Sequence, residues 1–290
     1  MNQRNNIRIL VRGAYDLQKL RIQMGNRIVG NVKVKLGQEP GTKEEDMDDD
    51  AAKEILADLR ASFKKITDGM ARFPTIKQFK GDGVIDTYTE LVLVSQYIDM
   101  ELREQEMFKR MKAILAEYPI FNAFIDGVKG IGPAMAGVII SEFDIYKARY
   151  VSSLWMYAGL DVAANGAGRS RKTEHLVTRK YTDKDGKEAE RQGITFNPFL
   201  KTKLLGVLGP SFIKCKNPKY EPMYRNYKNR LENHPAHAEK SKGHRHNMAI
   251  RYMVKQFLVD LYTEWRKIEG LEVHPPYAEG KLGIVHSHAA

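Results

Sequence analysis

The chain has 290 residues, 42% of them AVILMFWYC, and carries 47 Lys and Arg against 36 Asp and Glu, a formal net charge of +11. That is enough apolar material for one large cored domain or two ordinary ones, and it excludes a chain disordered throughout. The single cysteine, Cys215, excludes an internal disulfide framework and any CxxC zinc site.

No run approaches the ~20 apolar residues of a membrane span, so no membrane partner is expected. The opening MNQRNNIRILVRG is basic but lacks the apolar core of a secretory leader. With one cysteine, a reducing, cytoplasmic location is the expectation.

Residues 5–36 begin with helical spacing of Ile7, Leu10, Val11, Tyr15, Leu17 and Leu20. Residues 28–36 (IVGNVKVKL) alternate instead like a short strand. A Pro-Gly break follows, then a run from Glu44 to Asp50 in which only Met47 is not acidic. It lacks the glycine of a calcium loop and reads as a solvated linker within an N-terminal helical region, 1–84. Residues 51–71 form a helix with Ile55, Leu59, Phe63, Ile66 and Met70 on one face. From Ile85 to Tyr118 there is neither Gly nor Pro, and Leu91, Val94, Ile98, Leu102, Phe108, Met111 and Leu115 form an apolar stripe. A helix of that length spans roughly 50 Å and needs something along it. Two readings stand: a bundle with residues 51–71, or a coiled-coil arm (85–118) that pairs two copies into a homo-oligomer. Glu101 and Gln105 interrupt a strict seam.

Residues 119–268 read as a compact helical domain, and 269–290 as a tail. Within it, residues 121–143 (FNAFIDGVKGIGPAMAGVIISEF) place a tight turn between two apolar helices. Pro133 suits the first position of the second helix. Gly130 and Gly132 permit turn geometry and close approach, and their N–H groups can face a phosphate oxygen. Lys129, Gly130, Ile131 and Gly132 are therefore candidate phosphate-binding residues in a helix-hairpin-helix, a contact that positions a duplex without reading its sequence.

Downstream, residues 168–256 hold 21 Lys and Arg against 8 Asp and Glu. A basic field confined to one region suits a polyanion. A polar, strand-poor insertion at 164–195 contains GAGRSRKTEHLVTRK, in which Arg169, Arg171, Lys172, Arg179 and Lys180 are candidate phosphate contacts. Tyr220, Tyr224 and Tyr227 fall at helical spacing among cations; packing against the core is favoured over stacking on bases. His234, His237, His244 and His246 lack the partners of a zinc motif and read as surface groups. Residues 248–268 form an amphipathic helix on Met253, Phe257, Leu261 and Trp265.

Three blocks, GIGPAMAGVIISEF, SSLWMYAGLDVAANGAG and GHRHNMAIRYMVKQFLVDLYTEWR, resemble the C-terminal domain of the bridge-RNA-guided insertion-sequence transposases, the IS-one-ten and IS-eleven-eleven group. The resemblance covers residues 119–268. It implies an N-terminal RuvC-like domain with four converging acids, a coiled coil, and a C-terminal domain that supplies a nucleophilic serine. Two departures stand out. Residues 1–84 show no early Asp at the end of an apolar strand, as a Mg²⁺ site of that kind requires. The positions matching the family's serine are Asn165 and Ala167, so Ser170, between Arg169 and Arg171, is the candidate displaced nucleophile. The expectation is a mainly α protein with a long helical arm and a helix-hairpin-helix domain. It would bind DNA, or structured RNA, in transposition or recombination, associated with the nucleoid. The alternatives are an active serine-dependent recombinase and an assembly protein built on the long helix. No cofactor is expected, with Mg²⁺ entering only if a partner supplies an acidic site.

Overall fold

The computed structural model describes residues 3–37 and 49–276, and it is mainly helical. Most of the acidic run 44–50 and the end of the C-terminal tail lie outside the described residues. Two compact units are present: Ile9–Arg110, and Met1–Arg8 together with Met111–Ala290. The chain thus divides at 8/9 and 110/111, and the long helix is not a unit of its own.

The first unit is built on α1 (Gln3–Lys35), α2 (Asp49–Thr67) and α3 (Tyr88–Leu115). The alternation at 28–36 does not form a strand: α1 runs unbroken to Lys35. Met24, Ile28 and Val32 recur every four residues, and Ile28 is buried in a cluster with Leu59, Ile85, Leu91, Val94 and Tyr97. Burying a helical face outweighs the local preference of β-branched residues for strands. Gly37, at φ +90°, follows the helix in the left-handed conformation that an ordinary residue avoids. The first half of the α3 stripe is therefore packed within its own chain, whereas Leu102 stays exposed.

Two acids of α3, Glu101 from the interrupted seam and the nearby Glu104, have partners in the same unit. Arg60 forks onto Glu101 at 2.8 and 2.9 Å and donates to the Tyr97 hydroxyl at 2.9 Å. Glu104 is buried between Arg21 and Gln18, with Gln18 Nε2 at 2.7 Å. Glu101 thus links α3 to α2, and Glu104 links α3 to α1.

In the second unit α10 (Lys242–Ile268) is central. Around it pack α4 (Pro119–Ala123), α6 (Val151–Tyr157), α8 (Gly209–Lys214) and α9 (Tyr220–Asn233). A further pair, α5 (Pro133–Glu142) and α7 (Pro198–Lys203), lies together. Phe257 of α10 meets Phe124, Phe212 and Tyr220, with ring centroids 5.6–6.2 Å apart. A wide π-turn, Leu204–Leu208, joins α7 to α8. Pro210 has no N–H for the carbonyl one turn back, which is a sufficient cause for the helix to widen there. Gly209 lies so close to α10 that a Cβ would sit 2.6 Å from Ile250.

The insertion expected to be strand-poor holds a hairpin, β1 (Val177–Thr182) against antiparallel β2 (Glu188–Gly193). Among the described residues no helix is long and apolar enough to cross a membrane.

Candidate nucleic-acid interface

The turn between α4 and α5 has the expected form. A short 3₁₀ turn, Ile125–Gly127, precedes it, and the Ile131 N–H donates to the Val128 carbonyl at 3.1 Å. Gly132 caps α5 without any side-chain acceptor, and its surroundings are open. Lys129 is exposed. The two glycines differ in what they do. Gly130, at φ +99°, would bring a Cβ to 2.9 Å from the Cys215 sulfur and 3.1 Å from the Phe212 ring. Its carbonyl accepts from Ser211 Oγ at 2.7 Å, and the Lys129 carbonyl from Asn217 Nδ2 at 2.7 Å. Gly130 thus allows the turn to seat on the end of α8. Gly132 is the one with room for a ligand.

The basic loop behaves differently from its sequence. Arg169 does not face solvent: its Nε and Nη2 sit 3.0 and 2.7 Å from Asp161 Oδ2, so its charge is already neutralised. Arg171 and Lys172 are exposed, with Lys172 3.9 Å from Glu174. Arg179 and Lys180 lie on β1, exposed and on opposite faces, rather than in the loop.

Ser170 has a definite partner. His175, 3% exposed, places Nδ1 2.8 Å from Ser170 Oγ and 3.0 Å from the Ser170 N–H. Its Nε2 faces the Asn165 amide, 3.1 Å from Nδ2 and 3.3 Å from Oδ1. Asn165 Oδ1 is in turn fixed by the Ala167 N–H at 3.0 Å. The Lys172 N–H donates to Ser170 Oγ at 3.3 Å. The hydroxyl and the backbone N–H of Ser170 thus both lie against one nitrogen of a buried imidazole.

Three cations absent from the sequence reading gather around this loop. Lys201 of α7 donates to the Arg169 carbonyl. Arg251 of α10 reaches the Asp161 carbonyl at 3.4 Å and lies against Gly168, where a Cβ would be 2.7 Å from the guanidinium carbon. Lys255, one turn further on, sits 4.0 Å from the Trp155 ring centre. Burial and then the nearby Arg251 push Lys201 down to about 8, with Asp161 opposing and Arg171 adding to the fall. Burial, followed by Arg251, also lowers Lys255, and burial lowers Arg251 itself against the pull of Asp161. One carboxylate therefore faces four cations and is already bonded to one. Asp161 Oδ1 and Trp155 Nε1 are buried without a hydrogen-bond partner among the described residues. A surplus of partly desolvated positive charge is unfavourable until an anion arrives. The signal in sequence is Arg251 and Lys255, four apart on the amphipathic helix α10.

The remaining candidates are structural. Tyr220 is buried and stacks on Phe212 at 4.9 Å, Tyr224 bonds His246 at 2.6 Å, and Tyr227 stacks on Tyr252 at 4.3 Å. Among the described residues no three His, Cys, Asp or Glu side chains are placed to hold a metal ion. No family model, curated protein or solved structure matches the chain.

Proposed function

We propose that this protein binds duplex DNA by its phosphate backbone, as a DNA-binding protein of transposase type. The observation that carries the reading is the cluster of Lys201, Arg251 and Lys255 around the Asp161–Ser170 loop, where cations outnumber acids out of full contact with water. A phosphate there would regain for each cation the interaction that burial removed. Arg171 stands exposed beside the cluster. The open N-terminus of α5 at Gly132 is a second seat for a phosphate, since its N–H groups carry the positive end of the helix dipole. The transposase type rests on resemblance, and one observation supports it. The second and third resembling blocks meet at this cluster: Asp161 and Gly168 come from one, Arg251 and Lys255 from the other.

The test is binding to labelled duplex, junction DNA and structured RNA across a salt series. Log affinity should fall linearly with log salt, with a slope of about −0.9 per phosphate contacted. Replacing Lys201, Arg251 and Lys255 by Met should flatten that slope by about 2 to 3. Absence of binding by the unaltered chain at low salt removes the reading.

A second reading is favoured by the 2.8 Å contact between Ser170 and His175. Here Ser170 Oγ attacks a phosphorus held by the cluster, and its proton passes to His175 Nδ1. The P–O bond to the neighbouring nucleotide breaks, and the departing oxygen takes a proton from water. The strand stays on the serine as a phosphodiester until another strand's hydroxyl displaces it. Ser170→Ala should abolish strand exchange and leave duplex affinity within about twofold. Loss of both together would mean that Ser170 only shapes the loop.

A further inference from the structure

The hairpin β1–β2 is a ribbon with two unequal faces. Its register pairs Arg179 with Arg191, Tyr181 with Ala189 and Val177 with Gly193 on one face. The other face carries Thr178 with Gln192, Lys180 with Glu190, and Thr182 with Glu188. That second face is self-sufficient: Gln192 Nε2 donates to Thr178 Oγ1 at 2.8 Å, and Lys180 has an acid opposite it. The first face has no carboxylate. Two arginines occupy directly opposite positions in the register, and like charges so placed cost stability in an antiparallel pair.

Their side chains splay apart along the ribbon. Arg179 lies over Gly193, with its Cδ 3.5 Å from where a Cβ would be, and Arg191 lies 5.1 Å from the centre of the Tyr181 ring. Every residue of β1 is exposed, and so is most of β2. The tip is stiff: Asp183 Oδ1 accepts from the N–H groups of Asp185 and Lys187, both at 2.9 Å, and Gly186 takes φ +79°. Asp183 is therefore engaged by its own turn, and Asp185 is exposed beside it. An isolated two-stranded ribbon is marginal in water, and this one keeps a repulsive cationic pair where a neutral pair would be more stable.

We infer that this face of the hairpin enters the major groove of B-form DNA, with Arg179 and Arg191 reaching phosphates and guanine edges and Tyr181 lying along the groove wall. The inference rests on the DNA-binding reading and names the form of duplex that it takes. Six residue pairs give a ribbon about 20 Å long with strands about 4.8 Å apart. The major groove, about 12 Å wide, admits such a ribbon, whereas the minor groove at about 6 Å does not. The major groove of A-form RNA is too deep and narrow for side chains to read. The N–H fork of a single guanidinium also suits the paired acceptors O6 and N7 of guanine.

The experiment uses the full chain with Arg179→Ala and Arg191→Ala together, and a control with Thr178→Ala and Thr182→Ala on the other face. Affinity for a guanine-containing DNA duplex and for an RNA duplex of the same sequence is measured across a salt series. Protection of guanine N7 from methylation is read on the DNA. The unaltered chain and the control are expected to prefer DNA and to protect N7. The double Arg variant should bind DNA about tenfold or more weaker, with a salt slope shallower by about 1.8. It should also lose N7 protection and the preference for DNA. Its thermal unfolding midpoint should be no lower than that of the unaltered chain, because the residues removed contact no core and their like charges oppose pairing. If the unaltered chain binds DNA but the double variant keeps its slope and its N7 protection, the hairpin inference is overturned and the parent reading stands. If the unaltered chain leaves duplex DNA unbound at low salt, both fall.

Discussion

Gly168→Ala separates the phosphate cluster from the fold that carries it. Gly168 is not among the glycines with positive φ, so an added methyl brings no backbone strain. Its nearest neighbours are the end of Arg251: the new Cβ would stand 2.7 Å from the guanidinium carbon and 2.7–2.8 Å from its terminal nitrogens. Carbon contacts settle near 3.5–4.0 Å, so the guanidinium must retreat by about 1 Å. The retreat breaks a 3.4 Å hydrogen bond to the Asp161 carbonyl, already at the limit of such bonds. A flexible side chain moving toward solvent loses little, so stability should fall by less than about 1 kcal/mol and the midpoint by no more than about 3 °C. Phosphate binding is more sensitive. At an effective dielectric of about 20, moving unit charges from about 3 to about 4 Å loses on the order of 1 kcal/mol, or about five- to tenfold in Kd. Anisotropy with a labelled duplex reads the second effect and thermal unfolding the first. Gly206→Ala, which meets nothing within 4 Å, is the silent control. An unchanged Kd for Gly168→Ala would show that Arg251 does not touch the DNA. A fall of 10 °C or more would show that the contact locks the loop and is not a site.

Three other expectations follow from the same geometry. Gly130→Ala should cost about 2 kcal/mol or more in thermal unfolding, through strained φ and contact with Cys215 and Phe212. Gly132→Ala, in open space, should leave stability alone and weaken DNA binding, and equal stability losses for the two would refute the division of labour. Leu91→Ala removes a fully buried side chain from the first unit and should destabilise it by about 2–5 kcal/mol; a shift in oligomeric state with no loss of stability would instead place the stripe at an interface. The pH dependence follows from Lys201, which burial, and then Arg251, hold at about 8 against an ordinary 10.5. Between about pH 8 and 10.5 the unfolded chain binds more protons at this site, so its contribution to stability rises with pH across that window and is constant below it. DNA binding runs the other way: a phosphate restores the proton, so affinity holds below pH 8 and weakens above it. Lys201→Arg should abolish this weakening between pH 7.5 and 9.5, and a persistent decline would assign it to another group.

Much of the helical framework is legible in the sequence because helices declare themselves locally. The spacing of Ile55, Leu59 and Phe63, and of Met253, Phe257 and Leu261, needs only one face of one element. The turn at Gly130–Gly132 is visible because Pro133 and the glycines punctuate the chain, and so is the basic excess of residues 168–256. The hairpin at 177–193 escapes such reading. Both of its faces meet solvent, so no apolar residue marks every second position, and only the Asp183–Gly186 turn signals it. The apparent strand at 28–36 errs in the opposite direction, since β-branched residues on a buried helical face also alternate over a short window.

Tertiary structure alone decides which charges are available. In sequence Arg169 looks as free as Arg171, yet Asp161 neutralises it at 2.7 Å. Lys201, Arg251 and Lys255 look like scattered surface cations, and only the packing of α7 and α10 against the 161–170 loop brings them around one carboxylate. Ser170 meets His175 because the 3₁₀ turn at Thr173–His175 folds the ring back beneath it. Helices are set by neighbours three and four residues away, whereas a binding site is set by the balance of charge and solvent among groups that the chain holds up to ninety residues apart.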